Sequence, residues 1–183
     1  MPEFSHDIDP AERITFGVIG EPGHRTFYLQ ARSGRQLLSL VLEKEQVNAL
    51  ASALEQMLES LAERNPLLST SDDLIALANM ELEEPVEEAF RAGQIGLGYD
   101  EARDRLVIII QELGAGEAGE ELETARFTFS REQGRGLAQH GAELVTKGRP
   151  RCPQCGEPIN PEGHLCPKKN GHHAEYGRTA PGG

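Results

Sequence analysis

Tryptophan is absent from the 183 residues, and all aromatics together make up only 5% of them. A chain so poor in flat side chains has few platforms for stacking nucleic-acid bases. No apolar run approaches the ~18–20 residues of a membrane span. The opening stretch MPEFSHDIDPAE has neither the basic region nor the apolar stretch of a secretory signal, so the expected location is the cytoplasm. Cysteine occurs three times, always between residues 152 and 166, which excludes a disulfide framework. Nucleophile elbows, P-loops and dinucleotide fingerprints are missing. Gly17-Val18-Ile19-Gly20 reads as a strand with glycines and not as a phosphate cradle.

Charge is plentiful but lopsided. Eighteen Lys and Arg stand against 30 Asp and Glu, a net charge of −12. Residues 151–183 hold four basic and three acidic side chains, so residues 1–150 carry −13. An acidic body keeps a protein soluble and disfavours nonspecific contact with nucleic acid or membrane. Much of the acid falls in connectors, at Asp72, Asp73, Glu81, Glu83 and Glu84 and again at Glu117 to Glu123. Strand-like segments carry arginine instead, among them Arg13, Arg32, Arg91, Arg105 and Arg126. Arginine suits planar recognition of carboxylate or phosphate.

Two stretches repeat. ITFGVIGEPGHRTFYLQ (14–30) matches FRAGQIGLGYDEARDRLVIII (90–110), setting Gly17, Ile19 and Gly20 against Gly93, Ile95 and Gly96, and Phe27 and Leu29 against Leu106 and Ile108. LVLEKEQVNALASALEQML (40–58) matches FTFSREQGRGLAQHGAELV (127–145), setting Leu40 and Leu42 against Phe127 and Phe129, and Glu45-Gln46 against Glu132-Gln133. Order and spacing agree, which predicts an internal duplication.

Each half reads strand–strand–strand–helix. Ile14, Phe16 and Val18 alternate with smaller or polar residues, as do Phe27, Leu29 and Ala31, the period of a half-buried strand. Val47, Leu50, Leu54, Leu58 and Leu61 recur at helical spacing, and Leu137, Gly141, Leu144 and Val145 do so in the second half. The run Val107–Ile110 predicts a strand buried on both faces. Glycines 134, 136 and 141 weaken the second helix intrinsically, which close packing on a sheet would explain.

The prediction is an α+β body, residues 1–149, made of a duplicated βββα repeat (about 12–63 and 88–147). The halves either pair sheet to sheet or merge into one curved sheet flanked by two helices. Residues 64–87 form a linker, with a short helix capped by Ser71 over Leu74 to Met80. Residues 114–123 form an exposed acidic loop.

The clearest chemistry lies at the end. RCPQCGEPINPEGHLCPKKNGHH (151–173) places Cys152 and Cys155 in C-x2-C followed by glycine, the spacing that aims two sulfurs at one ion. His164 and Cys166 supply an H-x-C pair. Cys152, Cys155, His164 and Cys166 make a closed tetrahedral set for one structural Zn2+ in a zinc ribbon, residues 150–173. His172 or His173 in place of His164 is the alternative. Residues 174–183 lack core residues and are expected to be disordered.

Elsewhere the candidate binding residues are His24, Arg25, Tyr28, Arg32, Arg91 and Arg126. The turn Glu21-Pro22-Gly23-His24-Arg25 gathers a carboxylate, an imidazole and a guanidinium, a set able to bind an anion or move a proton. Tyr28 and Tyr99 are the aromatics expected at the surface.

GEPGHRTFYLQAR, GQIGLGYD and CPQCGEPINPEGHLCPKKNG resemble an uncharacterised bacterial family of unknown function with a C-terminal CPxCG…GHxCP zinc ribbon, over residues 12–171. The resemblance implies no established activity. It implies a phosphate-linked pathway, since members sit beside phosphatase-like and kinase-like proteins. The doubled βββα order also resembles the whirly-like and Pur-repeat proteins, whose curved sheets bind single-stranded nucleic acid. The leading expectation is a non-enzymatic zinc-binding protein whose partner is another protein and not a membrane. The alternatives are single-stranded nucleic-acid binding through the arginine-bearing sheet face, and an enzyme acting at the Gly20–Arg25 turn.

Overall fold

Alternating and helical patterns become strands and helices close to where the sequence puts them. The computed structural model describes residues 4–21, 23–64, 80–115, 117, 119 and 121–146. The strands are β1 (His6–Ile8), β2 (Arg13–Ile19), β3 (Thr26–Ser33), β4 (Gln36–Leu42), β5 (Glu88–Asp100), β6 (Arg105–Glu112) and β7 (Thr124–Phe129). The helices are α1 (Lys44–Arg64) after β4 and α2 (Arg131–Thr146) after β7. The zinc-ribbon residues and the tail lie outside the described residues, as does the short helix expected over Leu74 to Met80, apart from Met80.

The chain divides into two compact units, Met1–Gly20 with His24–Val145, and Glu21–Gly23 with Thr146–Gly183. Only Glu21, Gly23 and Thr146 of the second are described.

The first unit is a mixed α+β structure. Its strands form one sheet in the order β1-β7-β6-β5-β4-β3-β2, so of the two arrangements expected the merged sheet is found. β2-β3-β4 and β5-β6-β7 are antiparallel meanders, joined by the parallel pair β4–β5. β1 adds to β7 in parallel.

This order forces curvature. β1 and β2 stand at opposite ends of the sheet, yet only four residues separate them. Those residues reach at most roughly 17 Å, whereas six steps between flat strands measure roughly 29 Å. Hydrogen bonds show how the ends meet. Ala11 N donates to Thr128 O of β7 at 2.7 Å, and Glu12 N donates to Arg32 O of β3 at 2.8 Å. Residues 6–19 are thus one crossing segment, paired first with β7 and then with β3. β5 is the other crossing segment, paired first with β4 and then with β6.

One glutamine holds each crossing. Gln46, in the first turn of α1, accepts from Glu43 N and donates to the Ala92 and Gly93 carbonyls of β5. Gln133 accepts from Ser130 N, while its own N–H donates to Ser130 Oγ, a reciprocal capping box. Its side-chain amide donates to Ala11 O at 2.8 Å. Both glutamines fall at the matched Glu-Gln pairs of the sequence.

At one place the strand registers depart from the match read in the sequence. Leu29 lies between Phe16 and Leu40, and Ile108 lies between Leu97 and Phe127. Counting from these rows, Gly17 shares its position with Gly98, not with Gly93. Gly93 sits at the β5 bulge, where a Cβ would come 2.9 Å from Leu113 Cα. The glycine match of the sequence was therefore displaced by five residues. Glycine spacing is a weak ruler when one strand carries a bulge.

The core fills one face of the sheet. Phe16, Leu29, Leu40, Leu106, Ile108, Ile110, Phe127 and Phe129 are fully buried, together with Val47 and Leu54 of α1 and Leu137 of α2. Of the three helix glycines, Gly134 and Gly141 serve close packing. A Cβ on Gly134 would overlap the Leu106 side chain, and one on Gly141 would come 2.8 Å from the Phe16 ring and 3.2 Å from Ala51.

A polar cluster pins the β5–β6 hairpin to α2. Tyr99 Oη donates to Asp104 Oδ1 at 2.6 Å, and the nearly buried Arg131 donates from Nε to the same oxygen at 2.7 Å. Asp104 takes the left-handed conformation, φ 52°, which aspartate tolerates better than most residues. The Tyr99 hydroxyl and then Arg131 hold the Asp104 carboxyl below its ordinary 3.8. A depressed folded pKa gives stability that is complete above the unfolded value and lost as pH falls through the folded one. Asp104→Asn keeps the backbone conformation and removes the charge. Its urea midpoint should fall below the wild type's at pH 5, and the two should converge as pH drops well below 3.8. A constant gap down to pH ~2 would refute this account.

Candidate binding face

The sheet face away from the helices is treated differently in its two halves. On β2-β3-β4 it is closed by the chain itself. Residues 80–83, which precede β5, run across it as a strap. Thr15 Oγ1 donates to Met80 O at 2.7 Å. Gln30, fully buried, reads the Glu83 backbone in both directions: its Oε1 accepts from Glu83 N at 2.7 Å, and its Nε2 donates to Glu83 O at 3.0 Å. Leu82 sits directly over Gly17, where any Cβ would overlap it. The Glu83 carboxylate is gripped by Arg32 at 2.9 Å and Arg13 at 3.4 Å. The Arg32 bond comes first among the causes that hold the Glu83 carboxyl below its ordinary 4.5.

On β5-β6-β7 the same face is open among the described residues. A groove of about 750 Å³ is lined by Phe4, Gln94, Ile95, Gly96, Ile109, Gln111 and Thr124. Ile109 is 39% exposed, so the run Val107–Ile110 is not buried on both faces as expected. Only Ile108 and Ile110 point into the core. Register sets equal positions of the two meanders side by side. Gly96 stands where Thr15 stands in the other half, and Ile109 where Gln30 stands. Gln94 and Gln111 replace the arginine pair Arg13 and Arg32. Beside the groove, Arg126 lies over the Phe4 ring, 4.7 Å from its centroid.

The candidates named from sequence do not converge on one site. Arg32 is paired with Glu83, Arg91 with Glu43 at 2.7 Å, and Arg126 in a two-pronged bond with Asp7 at 3.0 and 2.6 Å. All three arginines lie on the outer face, and each meets a carboxylate there. Tyr28 lies on this face too, partly buried beside Gly17. Tyr99 is a correction: it faces the core side, with its hydroxyl bonded to Asp104, and is not a surface aromatic. Its strand parity put it there, since Leu97 and Tyr99 alternate with Gly96 and Gly98. His24 is exposed and Arg25 half-buried, after a turn begun by Gly20 at φ 107°. Among the described residues no three His, Cys, Asp or Glu side chains cluster as metal ligands. Cys152, Cys155, His164 and Cys166 lie outside those residues.

Sequence reasoning missed the strap and the groove. Gln30 carried one usable signal, a large amide in the centre of a strand. Nothing in the spacing linked it to a segment 53 positions away. No described helix is long and apolar enough to cross a membrane. No curated protein and no solved structure matches the chain. A family model does match, from the first strand through the last cysteine, and by that match over residues 6–166 the chain belongs to the DUF3090 family, proteins of unknown function.

Proposed function

We propose that this is a non-enzymatic interaction protein: a duplicated βββα body that offers the outer face of β5-β6-β7 to another protein, completed by a structural zinc ribbon. The observation that carries the reading is the open groove around Ile109, on a face whose other half the chain covers for itself. A concave surface with an aliphatic floor and a polar rim is a shape that a partner's side chain can fill. The ion-paired state of Arg32, Arg91 and Arg126 disfavours the nucleic-acid alternative, because a strand of phosphates would have to displace three carboxylates. Register correspondence between the meanders, with Gln46 and Gln133 in matching roles, supports the duplication.

For the ribbon, Cys152, Cys155, His164 and Cys166 would hold Zn2+ with no position open to water, so the metal would serve folding and not catalysis. The family match ends at Cys166, which favours His164 over His172 or His173. Protein purified without chelator should carry close to one zinc per chain, and Cys155→Ser should release it while leaving the body folded. Less than about half an equivalent in the wild type, with freely titrating thiols, would remove the ribbon.

The binding role is tested by a photo-crosslinking residue placed at position 109 or at the exposed hairpin position 35, in growing cells. Discrete protein adducts from 109 and none from 35 are expected. No adduct from either, or the same adducts from both, overturns the reading. Nucleic-acid adducts would transfer it to the alternative.

A further inference from the structure

The strap supplies a worked example of what this sheet face accepts. It is an extended segment, laid across the strands, with one leucine seated where a strand residue has no side chain. Its backbone is read by an amide in the row behind, and its acidic end is held by two arginines. Three properties of the strap thus meet three properties of the face.

The open half keeps some of these properties and changes others. It has more room for an apolar side chain. Gly96 and Gly98 both lie on the outer face, a Cβ on Gly96 would meet nothing closer than Ile109 O at 4.0 Å, and one on Gly98 would meet nothing within 4 Å. Ile109 in place of Gln30 turns the centre of the row from polar to aliphatic. The charge grip is gone, because Gln94 and Gln111 take the places of Arg13 and Arg32. Arg126, the register partner of Ile109 on β7, is committed to Asp7 and to the Phe4 ring. The described lining of the groove offers an acidic segment like the strap no counter-charge, and a carboxylate left unpaired resists burial.

Resting on the reading above, we infer that the groove of Phe4, Gln94, Gly96, Ile109 and Gln111 receives an extended, uncharged peptide segment of a partner protein, anchored by one leucine-sized aliphatic side chain against Gly96 and Ile109. The two glutamines pair with its backbone amides, as Gln30 pairs with the backbone of Glu83. Anchor and amide pairing together give affinity, and the absence of charge gives selectivity against acidic segments.

Random peptides displayed on phage and panned on the full-length protein test this. Enriched sequences should share a single leucine, isoleucine or methionine flanked by uncharged residues. Their Kd should rise about tenfold or more in Gly96→Phe, which plugs the groove, and in Ile109→Ser, which removes its apolar floor. Unchanged unfolding midpoints would show that both variants are folded. The double change Gln94→Arg with Gln111→Arg should invert the preference. It should bind the acetylated peptide of residues 79–85 (NMELEEP) at least about tenfold more tightly than the wild type does. Three results overturn the inference: no enrichment, enrichment of charged peptides by the wild type, or affinities that both groove variants leave unchanged. Crosslinks from position 109 without such peptides would sink this inference alone. Peptides without crosslinks in cells would sink the binding role and leave the groove's chemistry standing.

Discussion

Phe16→Ala should lower the stability of the body by about 3–5 kcal/mol, the range for removing a buried aromatic ring. Phe16 is fully buried in the middle of β2, beside Leu29. Its ring also lies where α1 and α2 come together over the sheet, because a Cβ on Gly141 of α2 would lie 2.8 Å from the ring and 3.2 Å from Ala51 of α1. Gly141 is therefore small on account of Phe16. Gly141→Ala alone sets two effects against each other. Alanine favours helix over glycine by ~1 kcal/mol, while overpacking costs ~1–3 kcal/mol. The net effect should be destabilising in the wild type. In the Phe16→Ala background the ring is absent and only the 3.2 Å approach to Ala51 still opposes the helix gain, so the same change should cost less than in the wild type or turn stabilising. Chemical denaturation of the four proteins measures the difference. Additive effects would show that Phe16 and Gly141 are not in contact and would overturn the packing account.

Gln30→Leu should release the strap. The amide satisfies the N–H and the carbonyl of Glu83 and also donates to Ser39 Oγ at 3.0 Å. Leucine has similar bulk and no hydrogen-bonding group, so two backbone groups on a buried face lose their partners at ~1–3 kcal/mol each. Detaching the strap lets water reach those groups and limits the loss to about 2–4 kcal/mol. The local signature is specific. The Glu83 amide should exchange with solvent deuterium far faster in the variant, and a protease should cut within residues 80–84. Gly17→Val should produce the same signature by another route, since its side chain takes the space of Leu82. Gly96→Val, in the open half, should be neutral or stabilising, because valine suits a strand and meets nothing there. Equal losses from Gly17→Val and Gly96→Val would mean that the two halves of the face do not differ.

The element types were legible in the sequence because they follow from short-range periodicity. Alternation over 14–18 and 27–31, helical spacing over 47–61 and the paired Glu-Gln at each helix start carry that information within a few residues. β2, β3, β4, α1 and α2 all fall where those patterns stand. The close packing that Gly134 and Gly141 require was also legible, since glycine inside an amphipathic helix needs a neighbour to explain it.

Tertiary structure alone decided the rest, because it concerns partners far apart in the chain. The crossing of residues 6–19 from β7 to β3 depends on a segment some 120 positions away, at Ala11 and Thr128. The strap's hold depends on Gln30 and Glu83, 53 positions apart. Ile109 and its neighbours Ile108 and Ile110 are the same residue type in one strand, so composition could not say that the middle one faces solvent. Strand parity assigned each to a face. Whether that outer face was covered depended on where a distant segment came to rest, and among the described residues it came to rest on one half and not on the other.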